Sequence, residues 1–313
     1  MNHTSTDRAL RLGTRASRLA RGQSQQVADL LCELTGRAVE LVDIATKGDA
    51  TTAPLHTLGG QGVFTSALRE ALLDGQIDFA VHSLKDLPTA PADGLTLAAI
   101  PERVDPRDAL VARDGLTLAE LPTGSRVGTG SLRRSAQIRA LGLGVELVGM
   151  RGNVDTRLSK VTSGELDAVV LACAGLHRIG RSDAITEALD PIAILPAPGQ
   201  GALAIEARSD DPATLDLLKP LDHHYSRISV TAERALLATL EAGCSSPVGA
   251  LAEVVEAENG LEISLRGSVT AIDGSDSVRL SATGPLTDAV GVGERLARIL
   301  LDDGAAELMG SSR

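Results

Sequence analysis

Short apolar runs alternate with longer amphipathic stretches from the start of the chain, and that alternation restricts it to α/β architectures. Ala9 to Gly13 reads as a strand and Val39 to Thr46 as another. Between them Ser17 to Leu34 reads as a helix, with Ser17 as its N-cap and Gly36 where a C-terminal glycine belongs. Lys47 to Gly62 breaks the pattern with Gly, Thr and Pro, and such a stretch inside a compact domain is expected to be a functional lid or a disordered loop. Phe64 to Leu73 resumes as a helix, and Ile77 to Ser83 and Leu95 to Ile100 as strands. Pro101 to Pro106 reads as a crossing into a second set of elements. These are a strand at Ala109 to Ala112, the run Val127 to Ser131, and a helix from Leu132 to Leu141. Strands at Val145 to Met150 and Ala168 to Ala172 follow, with a helix over Val154 to Ser163 between them. Pro196 to Gly201 is a second crossing, and Ala202 to Ala207 is a strand expected to return to the first sheet.

From Ser226 the order changes to a helix up to Ala242, three strands (Val248 to Val254, Leu261 to Val269, Ser277 to Thr283) and a helix over Asp288 to Leu301. Consecutive strands flanked by helices predict a small α+β domain with a three-stranded antiparallel sheet. The expected fold is therefore two periplasmic-binding-protein-like α/β domains joined by a double hinge, plus that C-terminal domain. Residues 1–103 with 198–221 form the first domain, 104–197 the second and 222–313 the third.

The 313 residues include only Phe64, Phe79 and Tyr225 as aromatics, so the cores must be aliphatic and stacking surfaces for bases are nearly absent. A net charge of -11 argues against nucleic acid, which needs a broad excess of Lys and Arg. Cys32, Cys173 and Cys244 have spacings that suit neither zinc nor a disulfide framework, and no metal is expected. Met1 to Arg15 carries no signal-peptide run, and no segment reaches the roughly 20 apolar residues of a membrane span. The expectation is a cytoplasmic protein with no nucleic-acid or membrane partner.

The strand ending at Val81-His82-Ser83 runs into Leu84-Lys85-Asp86-Leu87-Pro88, and the carboxyl ends of strands in such sheets face ligand crevices. Asp86 is the first catalytic candidate. In this acidic chain the arginines gather at element termini: Arg15 and Arg18, Arg133 and Arg134 after Gly128-Thr129-Gly130-Ser131, then Arg151, Arg157 and Arg178. Guanidinium groups pair bidentately with carboxylate or phosphate, so the set implies a polyanionic small molecule, with carboxylates preferred because no P-loop or dinucleotide pattern is present. Cys244, in Gly243-Cys244-Ser245-Ser246-Pro247, is a loop thiol suited to a nucleophilic or attachment role, whereas Cys32 and Cys173 lie in apolar stretches and read as small buried hydrophobes. No histidine pairing supplies an obvious base. His82 is expected to face the core or support the site from behind.

Six motifs in order carry a resemblance over nearly the whole chain: Leu12-Gly13-Thr14-Arg15-Ala16-Ser17, the stretch His82 to Pro88, the stretch Val127 to Arg134, Arg151-Gly152-Asn153-Val154, Pro198-Gly199-Gln200-Gly201 and Gly243-Cys244. They resemble the porphobilinogen deaminase family, the hydroxymethylbilane synthases. The resemblance implies a transferase of tetrapyrrole (heme) biosynthesis. It condenses four porphobilinogen molecules, with loss of ammonia, on a dipyrromethane cofactor held by a thioether to the cysteine matching Cys244. It implies that Asp86 is catalytic. Ser83, Lys85, Thr129, Ser131, Arg133, Arg134 and Arg157 would hold the cofactor, and Arg15, Ser17, Phe64, Arg151, Arg178 and Gln200 the substrate, in a monomer. Gln61 stands where the family often has lysine, and Ser245-Ser246 replaces a bulkier pair. Two other readings remain open: a non-catalytic hinged binder of a polycarboxylate, and a cysteine-dependent amidohydrolase in which a histidine pairs with Cys244.

Overall fold

The computed structural model describes residues 8–45, 65–243, 246–258 and 260–310. The lid stretch Lys47 to Gly62, Phe64 and Cys244 lie outside them. In chain order the elements are β1 (Leu10–Thr14), α1 (Arg18–Thr35), β2 (Val39–Asp43), α2 (Ser66–Leu73), β3 (Phe79–Ser83) and β4 (Leu95–Ala99). Then come β5 (Asp108–Ala112), β6 (Arg126–Thr129), α3 (Leu132–Ala140), β7 (Glu146–Gly149), α4 (Val154–Thr162), β8 (Ala168–Ala172), α5 (Cys173–Arg178) and β9 (Glu187–Ala188). The chain ends with β10 (Leu203–Arg208), α6 (Pro212–Leu218), α7 (His224–Thr239), β11 (Val248–Ala257), β12 (Gly260–Thr270), β13 (Ser277–Pro285), α8 (Ala289–Asp302) and α9 (Ala305–Leu308). Two compact units result: Met1–Glu102 with Leu203–His223, and Arg103–Ala202 with His224–Arg313.

The first unit holds a five-stranded sheet in the order β2-β1-β3-β10-β4. Strands β2, β1 and β3 are parallel, and β10 runs antiparallel to both β3 and β4. Period-2 alternation splits its side chains between two cores. Phe79, Val81, Leu203, Ile205 and Ala207 pack with Val27, Ala28 and Leu31 of α1, while Ala80 packs with Leu68, Ala71 and Leu72 of α2. The ends of α1 are closed as the sequence predicts. Ser17 Oγ accepts from the Ala20 N–H, and Gly36 takes φ 69°, a left-handed value that glycine adopts without a Cβ penalty.

The second unit repeats the sheet pattern as β7-β6-β8-β5-β9, with β7, β6 and β8 parallel and β5 antiparallel to β8 and β9. Ala109, Val111, Val169 and Leu171 face one core, and Leu110, Ala112, Ala168 and Val170 face the other. The same unit carries the antiparallel sheet β11-β12-β13. Helices α7 and α8 cover it, packing through Leu236, Leu296 and Leu300 with Ile263 and Leu265. The helices approach so closely that a Cβ on Gly293 would sit 2.3 Å from the Ala232 carbonyl oxygen.

A buried carboxylate ties down the segments before β5 and before β10. Glu233 of α7, with no exposure, accepts from Arg103 Nη1 and the Ala252 N–H through Oε1, and from Arg103 Nη2 and the Gly199 N–H through Oε2. Arg103 also donates to the Gln200 carbonyl at 2.8 Å. A Cβ on Gly201 would lie 2.5 Å from the Val104 carbonyl oxygen, so residues 103–106 and 199–201 lie against each other.

Sequence and structure part company in a few places. Cys32 is exposed rather than buried. The buried stripe of α1 runs Gln23, Ser24, Val27, Ala28, Leu31, and one further residue, about 100° of helical rotation, carries Cys32 to the solvent side. Cys173 is fully buried, and desolvation pushes its thiol up to about 12. Helix α6, not foreseen, begins at Pro212 with the Asp211 side chain accepting from the Thr214 N–H. The α7 helix starts earlier and ends earlier than Ser226 to Ala242.

Just before β3, at the amino end of the central strand of the first sheet, Asp78 accepts from Arg8 Nη1 and Nη2, each at 2.9 Å, and from the Arg11 N–H at 2.7 Å. Burial alone would raise the carboxyl, but the hydrogen bonds from Arg8 and Arg11 outweigh it and hold Asp78 at about 2. A carboxyl depressed on folding contributes stability above its unfolded pKa and loses it as pH falls through the folded value. Asp78→Asn is therefore expected to cost about 2 kcal/mol at pH 7, with the deficit shrinking from pH ~4 toward pH ~2, as urea unfolding at each pH would show.

Candidate active site

In the first unit β1 and β3 are parallel neighbours, Gly13 opposite Ala80, so their carboxyl ends leave the sheet on one edge. Arg15, half-buried, follows β1, and Ser17 next to it is occupied as the cap of α1. A single turn of 3₁₀ helix, Leu84–Asp86, follows β3. Leu84 and Leu87 are sunk into the unit at 1% and 4% exposure, and the Leu87 N–H returns to the Leu84 carbonyl at 3.0 Å. Pro88, without an N–H, stops the turn. Between the two leucine plugs Lys85 is half-buried and Asp86 is exposed.

The strand below that turn is held on both faces. Gln23 Nε2 of α1 donates to Ser83 Oγ at 3.0 Å. On the α2 face His82, 5% exposed, brings Nε2 to 3.0 Å from Glu206 Oε2, a close approach that is not aligned as a hydrogen bond. Glu206 is paired in turn with Arg69, Nη2 to Oε1 at 2.8 Å and Nε to Oε2 at 3.1 Å. Burial would raise Glu206, but the contacts with His82 and Arg69 prevail and hold it at about 2.

In the second unit β6, β7 and β8 likewise present their carboxyl ends together. Thr129, buried, closes β6 and its Oγ1 accepts from the Ser131 N–H at 3.2 Å, while Ser131 Oγ caps α3 by accepting from the Arg134 N–H. A Cβ on Gly130 would meet the Met150 carbonyl oxygen at 2.5 Å, which fixes how tightly the strand turns into the helix.

Arg133 and Arg134 are buried and share one carboxylate. Arg133 Nη1 donates to Asp108 Oδ2 at 2.8 Å, and Arg134 Nε and Nη2 to Asp108 Oδ1 at 2.9 and 2.6 Å. Burial would raise Asp108, but the charges of Arg133 and Arg134 overcome it and hold the carboxyl well below its ordinary range. Gln200 Nε2 donates to Asp108 Oδ1 and to the Pro106 carbonyl, each at 2.8 Å.

Two guanidinium groups against one carboxylate leave a surplus positive charge, and Arg133 Nε is buried without a hydrogen-bond partner. After β7, Arg151 also keeps one Nη2 buried and without a partner. Arg157 donates to the Gly152 carbonyl at 2.9 Å. Arg178, at the end of α5, donates to the Gly201 carbonyl at 2.7 Å, and burial pushes its guanidinium down to about 10. These orphaned N–H groups are what a site for ligand carboxylates supplies, so the arginines of this unit fit a group with several acid side chains.

The predicted residues fall in two sets, Arg15, Ser17, Ser83, Lys85 and Asp86 in the first unit and Thr129, Ser131, Arg133, Arg134, Arg151, Arg157, Arg178 and Gln200 in the second, most of them just after a strand. Phe64 and Cys244 fall outside the described residues; beside Cys244, the Gly243 N–H donates to Ser246 Oγ at 3.1 Å and the Ser246 N–H to the Gly243 carbonyl at 3.0 Å. Asp108, Glu206 and Glu233 were not anticipated. Only Glu206, a single acid inside an apolar strand, carried a signal in the sequence.

Family models for the porphobilinogen deaminase dipyromethane cofactor binding domain and for the porphobilinogen deaminase C-terminal domain match residues 10–216 and 227–302. The chain is 56% identical over 314 residues to porphobilinogen deaminase 1 of Streptomyces coelicolor, with 97% of this chain and 98% of that one covered. It is 58% identical over 305 residues to porphobilinogen deaminase of Mycobacterium marinum, with 96% of each covered. A periplasmic substrate-binding protein of an ABC transporter from Coxiella burnetii is similar in structure at TM-score 0.43 and 14% identity, covering 68% of this chain and 91% of that one.

Asp108→Asn removes the counter-charge of two buried guanidinium groups and is expected to destabilise the protein by about 3–5 kcal/mol, read as a lowered urea midpoint. A loss below about 1 kcal/mol would mean that the arginines find other partners.

Proposed function

The chain belongs to the porphobilinogen deaminase family, and from that membership we propose Asp86 as its catalytic carboxylate and Cys244 as the residue that anchors the dipyrromethane cofactor. The reaction is that of a hydroxymethylbilane synthase, a transferase that joins four porphobilinogen molecules into a linear tetrapyrrole with release of ammonia at each step. The bound cofactor supplies the primer on which the chain is extended.

The observation that carries the Asp86 assignment is its mounting: an exposed carboxylate on a turn pinned by Leu84 and Leu87, at the carboxyl end of a strand held on both faces. Loss of ammonia from the aminomethyl carbon leaves positive charge on the substrate pyrrole. A fixed carboxylate stabilises that charge as it develops and accepts a hydrogen bond from the pyrrole N–H. Carbon–carbon bond formation then releases one proton, for which the same carboxylate is a suitable acceptor. Every pyrrole brings two carboxylates, and the resemblance to the family suggests how the cationic groups divide between cofactor and substrate. Lys85, Arg133, Arg134 and Arg157, with Ser83, Thr129 and Ser131, hold the acid side chains of the cofactor. Arg15, Arg151 and Arg178, with Ser17, Gln200 and Phe64, hold those of the substrate.

Family membership does not favour the binding-protein alternative. The amidohydrolase reading needs a histidine paired with Cys244, and family membership does not favour it either. Among the described residues no helix is long and apolar enough to cross a membrane. We place the enzyme in the cytoplasm as a monomer, and propose domain limits of 1–103 with 198–221, 104–197 and 222–313.

The intact mass of the purified chain, with peptide mapping around residue 244, tests the anchor: a dipyrromethane increment is expected on the parent chain and none on Cys244→Ser. An unmodified mass that persists after incubation with porphobilinogen would overturn it. Asp86→Ala is expected to retain the mass increment while losing activity on the order of 100-fold or more. Full turnover by that variant would remove Asp86 from the mechanism.

A further inference from the structure

Glu206 occupies the middle of β10, opposite Ala80, and Ala204 lies opposite His82, so Glu206 and His82 are diagonal neighbours on one face of the sheet. That face packs on Leu68, Ala71, Leu72, Ile77 and Ala80, and its other charged group, Arg208 at the end of β10, donates to the Leu72 and Ile77 carbonyls rather than to Glu206. An acid there is costly unless fully paired, and an aliphatic side chain would pack at lower cost. The acid is nevertheless paired from two elements, Arg69 of α2 and His82 of β3. A slip of β10 by one residue would turn Glu206 into the opposite core of Phe79, Val81 and Ile205, away from both partners. The β10–β4 ladder shifts register between Ile205 and Glu206, so pairing with β4 does not fix that position. The triad therefore sets where β3 ends relative to β10 and α2, and β3 ends at the turn that bears Asp86.

Building on the assignment of Asp86, we infer that His82, through Glu206 and Arg69, is a positioning residue for the reaction: it sets the height of the Lys85–Asp86 turn above the sheet. Its partner on the other face is the Gln23–Ser83 hydrogen bond. A catalytic carboxylate displaced by about 1 Å loses up to about 100-fold in rate without losing its substrate contacts. The effect of breaking the triad belongs in kcat rather than in KM.

The test is steady-state consumption of porphobilinogen by the full chain carrying its cofactor, with folding checked by thermal melting. His82→Leu, which takes the imidazole away from Glu206, is expected to lower kcat about tenfold or more with KM within about twofold. His82→Gln, whose amide N–H can reach Glu206, is expected to recover at least half of the parental kcat. A parental kcat in His82→Leu, or a Gln variant as impaired as the Leu variant, would overturn the inference. If His82→Leu does not fold, Glu206→Gln carries the test: a kcat lowered about fivefold at unchanged KM supports it and a parental kcat overturns it. Asp86→Ala measured alongside separates the two assignments, because an inactive Asp86→Ala beside a fully active His82→Leu removes only the role of His82. An active Asp86→Ala removes the reading on which that role rests.

Discussion

A carboxylate without access to water, Asp108, is the interaction through which the second unit holds its shape and its charge. Arg133 and Arg134 lie in the first turn of α3, the end of a helix where cations are disfavoured by the backbone dipole. Only a nearby anion makes their burial tolerable, and Asp108 supplies it from the first residue of β5. The same carboxylate takes the Gln200 amide, and Arg133 and Gln137 both reach the Leu195 carbonyl. The residues before β5 and those before β10 are therefore bound to the helix that displays the arginines. Because one negative charge faces two positive ones, and Arg133 Nε is left without a partner, the arrangement still attracts an acid group.

Most of the secondary structure could be read directly from residue patterns. Ser17 and Gly36 bracket α1, Ala168 to Ala172 is a strand at the predicted residues, and β10 joins the first sheet as its apolar run suggested. The turn at Lys85-Asp86 was legible because a proline follows an abrupt change from apolar to charged residues. What stayed hidden depends on neighbours remote in sequence. Glu206 in Leu203-Ala204-Ile205-Glu206-Ala207 and Asp108 in Asp108-Ala109-Leu110-Val111 look like interruptions of strands until Arg69 and Arg133 are brought to them. Cys32 was misplaced because local apolar composition does not say which side of a helix a residue occupies; the angular offset from Leu31 does.

The molecule separates its acids by environment. Asp108, Glu206 and Glu233 are sealed, each spending its oxygens on guanidinium, imidazole or backbone partners, and they act through geometry alone. Asp86 stands in solvent on a rigid mount. A group that must meet successive substrates cannot be committed to internal partners, yet its backbone must not wander, and fastening β3 on both faces meets both demands.

The strand exchange in the first sheet has a consequence for biosynthesis. β3 and β4 do not touch as ladder partners; β10 lies between them, and the whole of β5 to β9 is synthesised between Ser83 and Leu203. A nascent chain emerging from the ribosome therefore exposes one edge of β3, and all of β4, until the second sheet has been made. Glu206 arrives with the missing strand, so His82 stays without its acid over the same interval. The N-terminal unit matures late although its residues are made first, and the period of exposed edges is when a chaperone that shields unpaired strands would be needed most.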